Sequence, residues 1–244
     1  MRERPNPLPP FPTWEGGTAS VCAAAVIVAA GQSARMEGVD KLFALLLGKP
    51  LLAHTLAAFE AAPQIEAIVL VLSRESLERG RALVKEHPFS KVCAVCPGGP
   101  RRQDSVWNGL QCVPPLPWVA VHDGARPCVT PEVINRGLEE AARFGSAVAA
   151  VPVKDTIKIV GDGGAVRETP DRSKLWAVQT PQMFSREALL GAYRRFLDTP
   201  ATDDASLMER AGHPVHLYLG SYANIKVTTP EDMTIAEALL RRLT

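Results

Sequence analysis

From Ser20 onward, short uncharged apolar runs alternate with stretches whose apolar residues recur at helical spacing, and few architectures accept that pattern. The first run, Val21–Ala30 (VCAAAVIVAA), is alanine-rich and β-branched. A half-solvated strand would alternate polar and apolar residues, so this run reads as a strand buried on both faces. Pro50–Ala62 opens with proline at a plausible first helical position and predicts a helix. Ile65–Leu72 then reads as a strand, Glu75–Glu86 as a helix, Lys91–Val95 as a strand and Asp104–Cys112 as a short helix. Trp118–His122 is a strand ending at Asp123, Pro131–Phe144 a helix capped by Thr130, and Ala147–Val153 another strand. This succession predicts an α/β fold, a mostly parallel sheet with helices on both faces. In such sheets ligands bind beyond the carboxyl ends of the strands.

Lys154–Leu175 breaks the rhythm. An extended run, a glycine-rich turn at Gly161–Gly164 and a second extended piece predict a hairpin arm at about 153–175. An isolated two-stranded ribbon is marginal in water, so the arm is expected to pack against something, such as a second subunit. Helices follow near Arg186–Leu197 and Asp204–Ala211, strands near Val215–Leu219 and Asn224–Val227, and a last helix over Pro230–Arg242. Residues 20–244 thus read as one domain carrying an arm. Residues 1–19 read as a disordered tail, because Pro5, Pro7, Pro9, Pro10 and Pro12 crowd it. Those prolines, with Glu3 and Glu15, also weigh against a secretory leader.

Charge narrows the function. Lys and Arg total 27 against 26 Asp and Glu, a net charge of +1, which lacks the basic excess of a nucleic-acid-coating protein. Five cysteines, an odd number, suit a reducing, cytoplasmic setting better than a disulfide framework. No apolar run approaches the roughly 18 residues of a membrane span.

Three loops after strands carry candidate chemistry. Ala29-Ala30-Gly31-Gln32-Ser33-Ala34-Arg35-Met36, followed by Lys41, is a small-residue loop with two cations. Such a loop lets phosphates approach backbone N–H groups, although it matches neither the P-loop nor the dinucleotide pattern. Two cations there would offset charge in phosphoryl transfer; they also suit an ordinary surface loop. The second loop, Pro97–Ser105, offers Gly98 and Gly99 for close approach and Ser105 in the first turn of a helix. It could read a base edge or simply join strand to helix. The third, Val121–Pro127, places Asp123 and Gly124 at a strand end, suited to magnesium, to a ribose or to a plain turn.

Other patterns carry less. Cys93-x-x-Cys96 has metal or redox spacing but no second pair nearby, and His213 and His216 have no evident third ligand. Trp107, Trp118 and Trp176 are expected in the core rather than in a stacking platform.

Seven segments in order make the chain resemble the 2-C-methyl-D-erythritol 4-phosphate cytidylyltransferases of the non-mevalonate isoprenoid pathway. They are AAGQSARM (Ala29–Met36) with Lys41, GGPRRQDSV (Gly98–Val106), VHDGARP (Val121–Pro127), VKDTIK (Val153–Lys158), DRSKLWAVQTPQMF (Asp171–Phe184), TDDAS (Thr202–Ser206) and NIKVTTPED (Asn224–Asp232). The resemblance implies a single Rossmann-like nucleotidyltransferase domain with a protruding β-arm, and transfer of the cytidylyl group of CTP with Mg²⁺ as cofactor.

By the same likeness, Ala29, Ala30, Gly31, Gly99 and Ser105 would hold cytosine and ribose, and Asp123 and Gly124 the sugar. Asp123 would also lie near the acceptor's hydroxyls or the magnesium. Arg35, Lys41 and Lys226 would neutralise the triphosphate and the transition state. Arg126 and Thr202 would bind the acceptor's polyol, while Thr156 and Arg172 on the arm would reach a partner subunit's acceptor phosphate, implying a homodimer. Two departures stand out. Ser33 replaces a glycine common in the first loop, and Pro100, which has no N–H, leaves any base contact there to Gly99 or Ser105. The alternatives are a cytidylyltransferase for another polyol phosphate such as ribitol 5-phosphate, a UTP- or GTP-using sugar nucleotidyltransferase, and a non-catalytic nucleotide-binding regulator. DRSKLWAV favours methylerythritol phosphate as acceptor.

Overall fold

The computed structural model describes residues 21–31 and 40–243. The expected tail and most of the first loop, Arg35 included, lie outside the described residues. In chain order the elements are β1 (Ala23–Ala29), the two-residue strands β2 (Leu45–Leu46) and β3 (Lys49–Pro50), α1 (Leu51–Ala61), β4 (Ile65–Leu72) and α2 (Leu77–Glu86). Next come β5 (Val92–Pro97), α3 (Arg102–Leu110), β6 (Trp118–Asp123), α4 (Pro131–Phe144) and β7 (Ser146–Pro152). The arm holds β8 (Ile159–Val160) and β9 (Val166–Glu168), and β10 (Trp176–Ser185), α5 (Arg186–Phe196), α6 (Asp204–Arg210), β11 (Leu217–Leu219) and α7 (Pro230–Leu243) complete the chain.

The central sheet runs β11-β7-β10-β6-β1-β4-β5. β10 is antiparallel to both its neighbours, β6 and β7, and every other pairing is parallel. β1 lies between β4 and β6 and is buried along its whole length, which is why its run carries no charge. Its residues alternate between two cores. Ala23, Ala25 and Ile27 face Leu56, Phe59 and Leu138 of α1 and α4, while Ala24, Val26 and Val28 face Val106, Leu189 and Met208 of α3, α5 and α6. The molecule is therefore a single α/β domain with helices on both faces of a mostly parallel sheet.

The expected hairpin forms at β8 and β9 and stands exposed. Four local expectations need correction. β10 occupies a segment with no expected strand, because Pro181 argues against an interior strand. The ladder accommodates it through a register shift between Val178 and Gln182, where the Thr180–Pro181 peptide is cis. Conversely, Asn224–Val227 is not a strand; Val227 N–H donates to Ala125 O (2.8 Å) and Asn224 Nδ2 to Thr180 O (2.8 Å), so the segment braces loops instead of a sheet. Thr130 occupies the N-cap position of α4 without a side-chain cap bond; its side chain is engaged with Glu132. Trp176 is not core but exposed, near the base of the arm.

Candidate active site

At the carboxyl ends of β1, β5 and β6 lies a cleft of about 940 Å³. Ala29, Ala30 and Gly31 line one side, Gly98 to Arg102 and Ser105 the other, with Lys41, Asp123 and Lys226. The two loops approach so closely that a Cβ on Gly98 would lie 2.3 Å from Ala30 Cβ, so only glycine fits. Ser105 is buried and its hydroxyl is committed to the loop. It accepts from Gly99 N–H (3.1 Å) and donates to Arg101 O (3.2 Å), with Gly99 O a longer alternative acceptor (3.4 Å). Ser105 therefore shapes the glycine loop and leaves Gly99 at the surface of the cleft.

Lys41 is held by its neighbour. Asp40 caps the short turn Lys41–Phe43, accepting from Leu42 N–H (3.3 Å), while its other oxygen accepts from Ser76 Oγ (3.1 Å) and Arg79. Gly124 lies behind the cleft instead of lining it. Its N–H donates to Val28 O (2.8 Å) and its carbonyl accepts from Thr55 Oγ1 (3.0 Å), tying the end of β6 to β1 and α1.

A second cavity of about 480 Å³ adjoins the first, lined by Arg126, Gln179, Thr180, Gln182, Thr202 and Ser206 among others. The two cavities share three residues: Arg102, Asp123 and Lys226. Asp123 is the centre of this seam. Lys226 Nζ lies 2.9 Å from its Oδ2, Arg102 Nε 3.2 Å from its Oδ1, and Arg126 Nε 3.7 Å from its Oδ2. Burial alone would raise the carboxyl's pKa, but the Arg102 and Lys226 charges outweigh it and hold the group well below the carboxylate range. Asp123 is thus a fixed anion. Its backbone N–H donates to Thr180 Oγ1 (3.0 Å), which contacts His122 Nδ1 (3.1 Å). His122 is fully buried, and desolvation pushes its pKa down to about 3, so the ring is neutral.

The wall of the second cavity hangs on buried amides. Gln182 donates to Asp203 Oδ2 (2.9 Å) and accepts from Ala205 N–H (3.0 Å), while Gln179 donates to Ser221 O (2.9 Å). Thr202 stands at the rim, 3.4 Å from Ser206 Oγ. Thr156 and Arg172 are exposed on the arm, line neither cavity, and Arg172 donates to Lys154 O (2.6 Å).

The sequence reading missed Arg102, Asp204 and Gln182. Arg102 had a signal: two adjacent arginines opening a helix oppose its macrodipole, so each requires a carboxylate. Arg101 has Asp104 (Nη2–Oδ1 2.5 Å), and Arg102 has Asp123 and Asp204. Asp204 and Gln182 gave no local sign.

A glycine-loop cleft at the sheet's carboxyl edge, joined to a second cavity across a seam of fixed charges, defines a nucleotidyltransferase. Comparison with known proteins narrows the class. The family model described as 2-C-methyl-D-erythritol 4-phosphate cytidylyltransferase matches residues 23–242, and the chain belongs to that family. It is 53% identical over 218 residues to the enzyme of that name from Dehalococcoides mccartyi, covering 89% of this chain and 96% of the relative. It is 50% identical over 224 residues to the one from Desulforamulus reducens, covering 89% and 95%. Among solved structures, the 4-diphosphocytidyl-2C-methyl-D-erythritol synthase of Anaerococcus prevotii superposes with a TM-score of 0.81 at 28% identity, covering 91% of this chain and 97% of that one. The 2-C-methyl-D-erythritol 4-phosphate cytidylyltransferase of Thermus thermophilus gives 0.71 at 35% identity, covering 91% and 100%.

Proposed function

We propose that the chain transfers the cytidylyl group of CTP to 2-C-methyl-D-erythritol 4-phosphate, with the larger cleft taking the nucleotide and the smaller cavity the acceptor. The observation that carries this reading is the seam: Arg102, Asp123 and Lys226 line both cavities, where a group passing between two substrates must cross. An acceptor phosphate oxygen attacks the α-phosphorus of CTP, the bond to the β-phosphate oxygen breaks, and pyrophosphate leaves with that electron pair. The acceptor phosphate is already ionised at neutral pH, so the step needs no general base. Rate then comes from positioning and from cations that offset the developing charge.

In this reading Ala29, Ala30, Gly31 and Gly99 receive base and ribose. Lys41 and Lys226 face the triphosphate, and the resemblance gives Arg35 the same charge-neutralising role. Asp123 fixes Lys226 and Arg126 between the two substrates, with Arg126 and Thr202 toward the polyol. The residues do not fit a protein-held magnesium. Three cations surround Asp123 and already share its charge. A magnesium arriving with CTP would be held chiefly by the nucleotide's phosphates and would supply further neutralisation of their charge.

The acceptor site is completed by a second copy of the chain, whose arm brings Thr156 and Arg172. Support comes from apolar side chains left exposed together: Ile157, Ile159, Val160 and Val166 on the arm, and Trp176 and Val178 on the adjoining half of β10. The working compartment is the cytoplasm; all five cysteines are free thiols, and among the described residues no helix is long and apolar enough to cross a membrane. The test is pyrophosphate release with Mg²⁺, CTP and 2-C-methyl-D-erythritol 4-phosphate, run beside ribitol 5-phosphate. Release with the first acceptor alone is expected. Release only with ribitol 5-phosphate would overturn the acceptor assignment, and CTP binding without release from either would make the chain a nucleotide-binding regulator.

A further inference from the structure

Arg102 opens α3, where the positive end of the helix macrodipole disfavours a cation. Nothing within α3 offsets it, because Asp104 is occupied by the side chain and backbone N–H of Arg101. The compensation comes from outside the helix, from Asp123 at the end of β6 and from Asp204. Asp204, at the start of α6, accepts from Arg102 Nη1 through Oδ2 (2.8 Å). Its other oxygen accepts from the Tyr193 hydroxyl of α5 (2.5 Å). Tyr193 also stacks on Trp107 of α3, with ring centroids 5.9 Å apart and planes 15° apart. Asp204 and Tyr193 are each 1% exposed and line neither cavity, so neither touches a substrate. Arg102 does line both, and its Nε meets Asp123 Oδ1 at 3.2 Å.

We propose that Tyr193 and Asp204 are positioning residues for the transfer step: they fix the guanidinium of Arg102, which in turn fixes the carboxylate of Asp123 at the seam. The hydroxyl sets Asp204, whose two oxygens are thereby divided between one donor from α5 and one from α3. Arg102 then presents a separate edge to Asp123, leaving the far carboxylate oxygen to Lys226 and Arg126. Burial and the adjacent Asp204 push the Tyr193 phenol far above its usual range, so it remains a donor. Without that donor Asp204 is free to turn, Arg102 is held by one carboxylate fewer, and the charges at the seam lose register.

The inference rests on the cytidylyl-transfer reading, and the wild-type arm of the test separates the two. Pyrophosphate release is measured at saturating CTP and acceptor for wild type, Tyr193→Phe, Asp204→Asn and the double variant. CTP affinity is measured by calorimetry and folding by thermal melting. Tyr193→Phe is expected to lower kcat about tenfold, the effect of one hydrogen bond to a charged group, with the Kd for CTP within about twofold of wild type. Asp204→Asn is expected to lower kcat further, and the double variant to be no slower than Asp204→Asn within about twofold, since Tyr193 acts through Asp204. A folded Tyr193→Phe protein with unchanged kcat overturns the proposal, as do losses that multiply in the double variant. If Asp204→Asn does not fold, Asp204→Glu in the Tyr193→Phe background takes its place under the same non-additivity criterion. A wild-type protein that binds CTP but releases no pyrophosphate removes the function reading and this inference with it; active wild type with indifferent variants removes the inference alone.

Discussion

Replacing Gly98 by alanine tests how the nucleotide cleft is built. The new Cβ would stand 2.3 Å from Ala30 Cβ, 2.7 Å from Ser105 Oγ and 3.3 Å from Ser105 Cβ. Carbon atoms in contact rest about 3.5–4.0 Å apart, so the nearest pair is short by more than about 1 Å. None of the partners can turn aside. Ala30 has only its Cβ, Ser105 is buried in the first turn of α3, and Gly98 is pinned by its N–H to Leu72 O (2.7 Å). Relief comes only by parting the loop after β1 from the loop after β5. In the proposed reading Ala30–Gly31 and Gly98–Gly99 close on the base and ribose, so binding CTP would restore the clash that parting relieved. Overpacking of this kind costs about 1–3 kcal/mol. Taken from binding, that is roughly a 5- to 150-fold weaker Kd for CTP, with a melting temperature that changes little. Calorimetric titration with CTP, paired with thermal melting, measures both. An alanine variant that binds CTP within twofold of wild type would refute the reasoning, and so would one whose loss appears entirely as lower thermal stability.

Three further outcomes are expected. Lys41→Ala should lower kcat by about 10²–10³-fold, the cost of removing one preorganised charge donor, while the Kd for CTP moves much less; an unchanged kcat would take Lys41 out of the transition state. Arg172→Ala should chiefly raise KM for the acceptor, by about tenfold or more for a lost phosphate contact, and an effect confined to CTP would displace the arm from the acceptor site. Unfolding free energy should depend on pH through His122, whose folded pKa of about 3 lies below the unfolded value of 6.5. Its contribution is fully present above pH 6.5 and declines toward pH 3 by up to about 1.4 kcal/mol per pH unit, because the unfolded chain takes the proton first. Urea unfolding at pH 7, 6 and 5 checks this, and a flat profile refutes it.

Legibility in the sequence followed the range of the interactions. Ile65–Leu72 and Pro131–Phe144 were readable to the residue, because an uncharged apolar run and a proline-to-glycine helical span declare themselves locally. The loops holding Gly31, Gly99 and Asp123 were readable because a parallel sheet puts ligands at its carboxyl edge. β10 was not, since Pro181 and two buried glutamines disguise a strand whose partners lie far away in sequence. Asn224–Val227 misled in the opposite sense: its residues suit a strand, but Val227 N–H and the Asn224 amide are spent on Ala125 O and Thr180 O, bracing loops instead. Arg102 meets Asp204 across 102 positions, so the pairing that organises the seam exists only after the helices have packed. Thr202 and Lys226 were recoverable through likeness to a family, not through any local pattern.

The one reversed strand also has consequences for how the chain folds. β6 and β7 follow each other closely in sequence and run parallel, yet in the finished sheet they do not pair, because β10 fills the slot between them. The β1, β4, β5 and β6 ladders can assemble from neighbouring stretches of chain. Until β10 arrives, β6 and β7 each present an unpaired edge in an apolar setting, the template on which chains aggregate. Closing the slot waits for the arm to be traversed, so this late, long-range pairing should limit the folding rate. Recovery after dilution from denaturant should therefore fall as protein concentration rises, with losses concentrated before the β10 pairing becomes protected from hydrogen exchange.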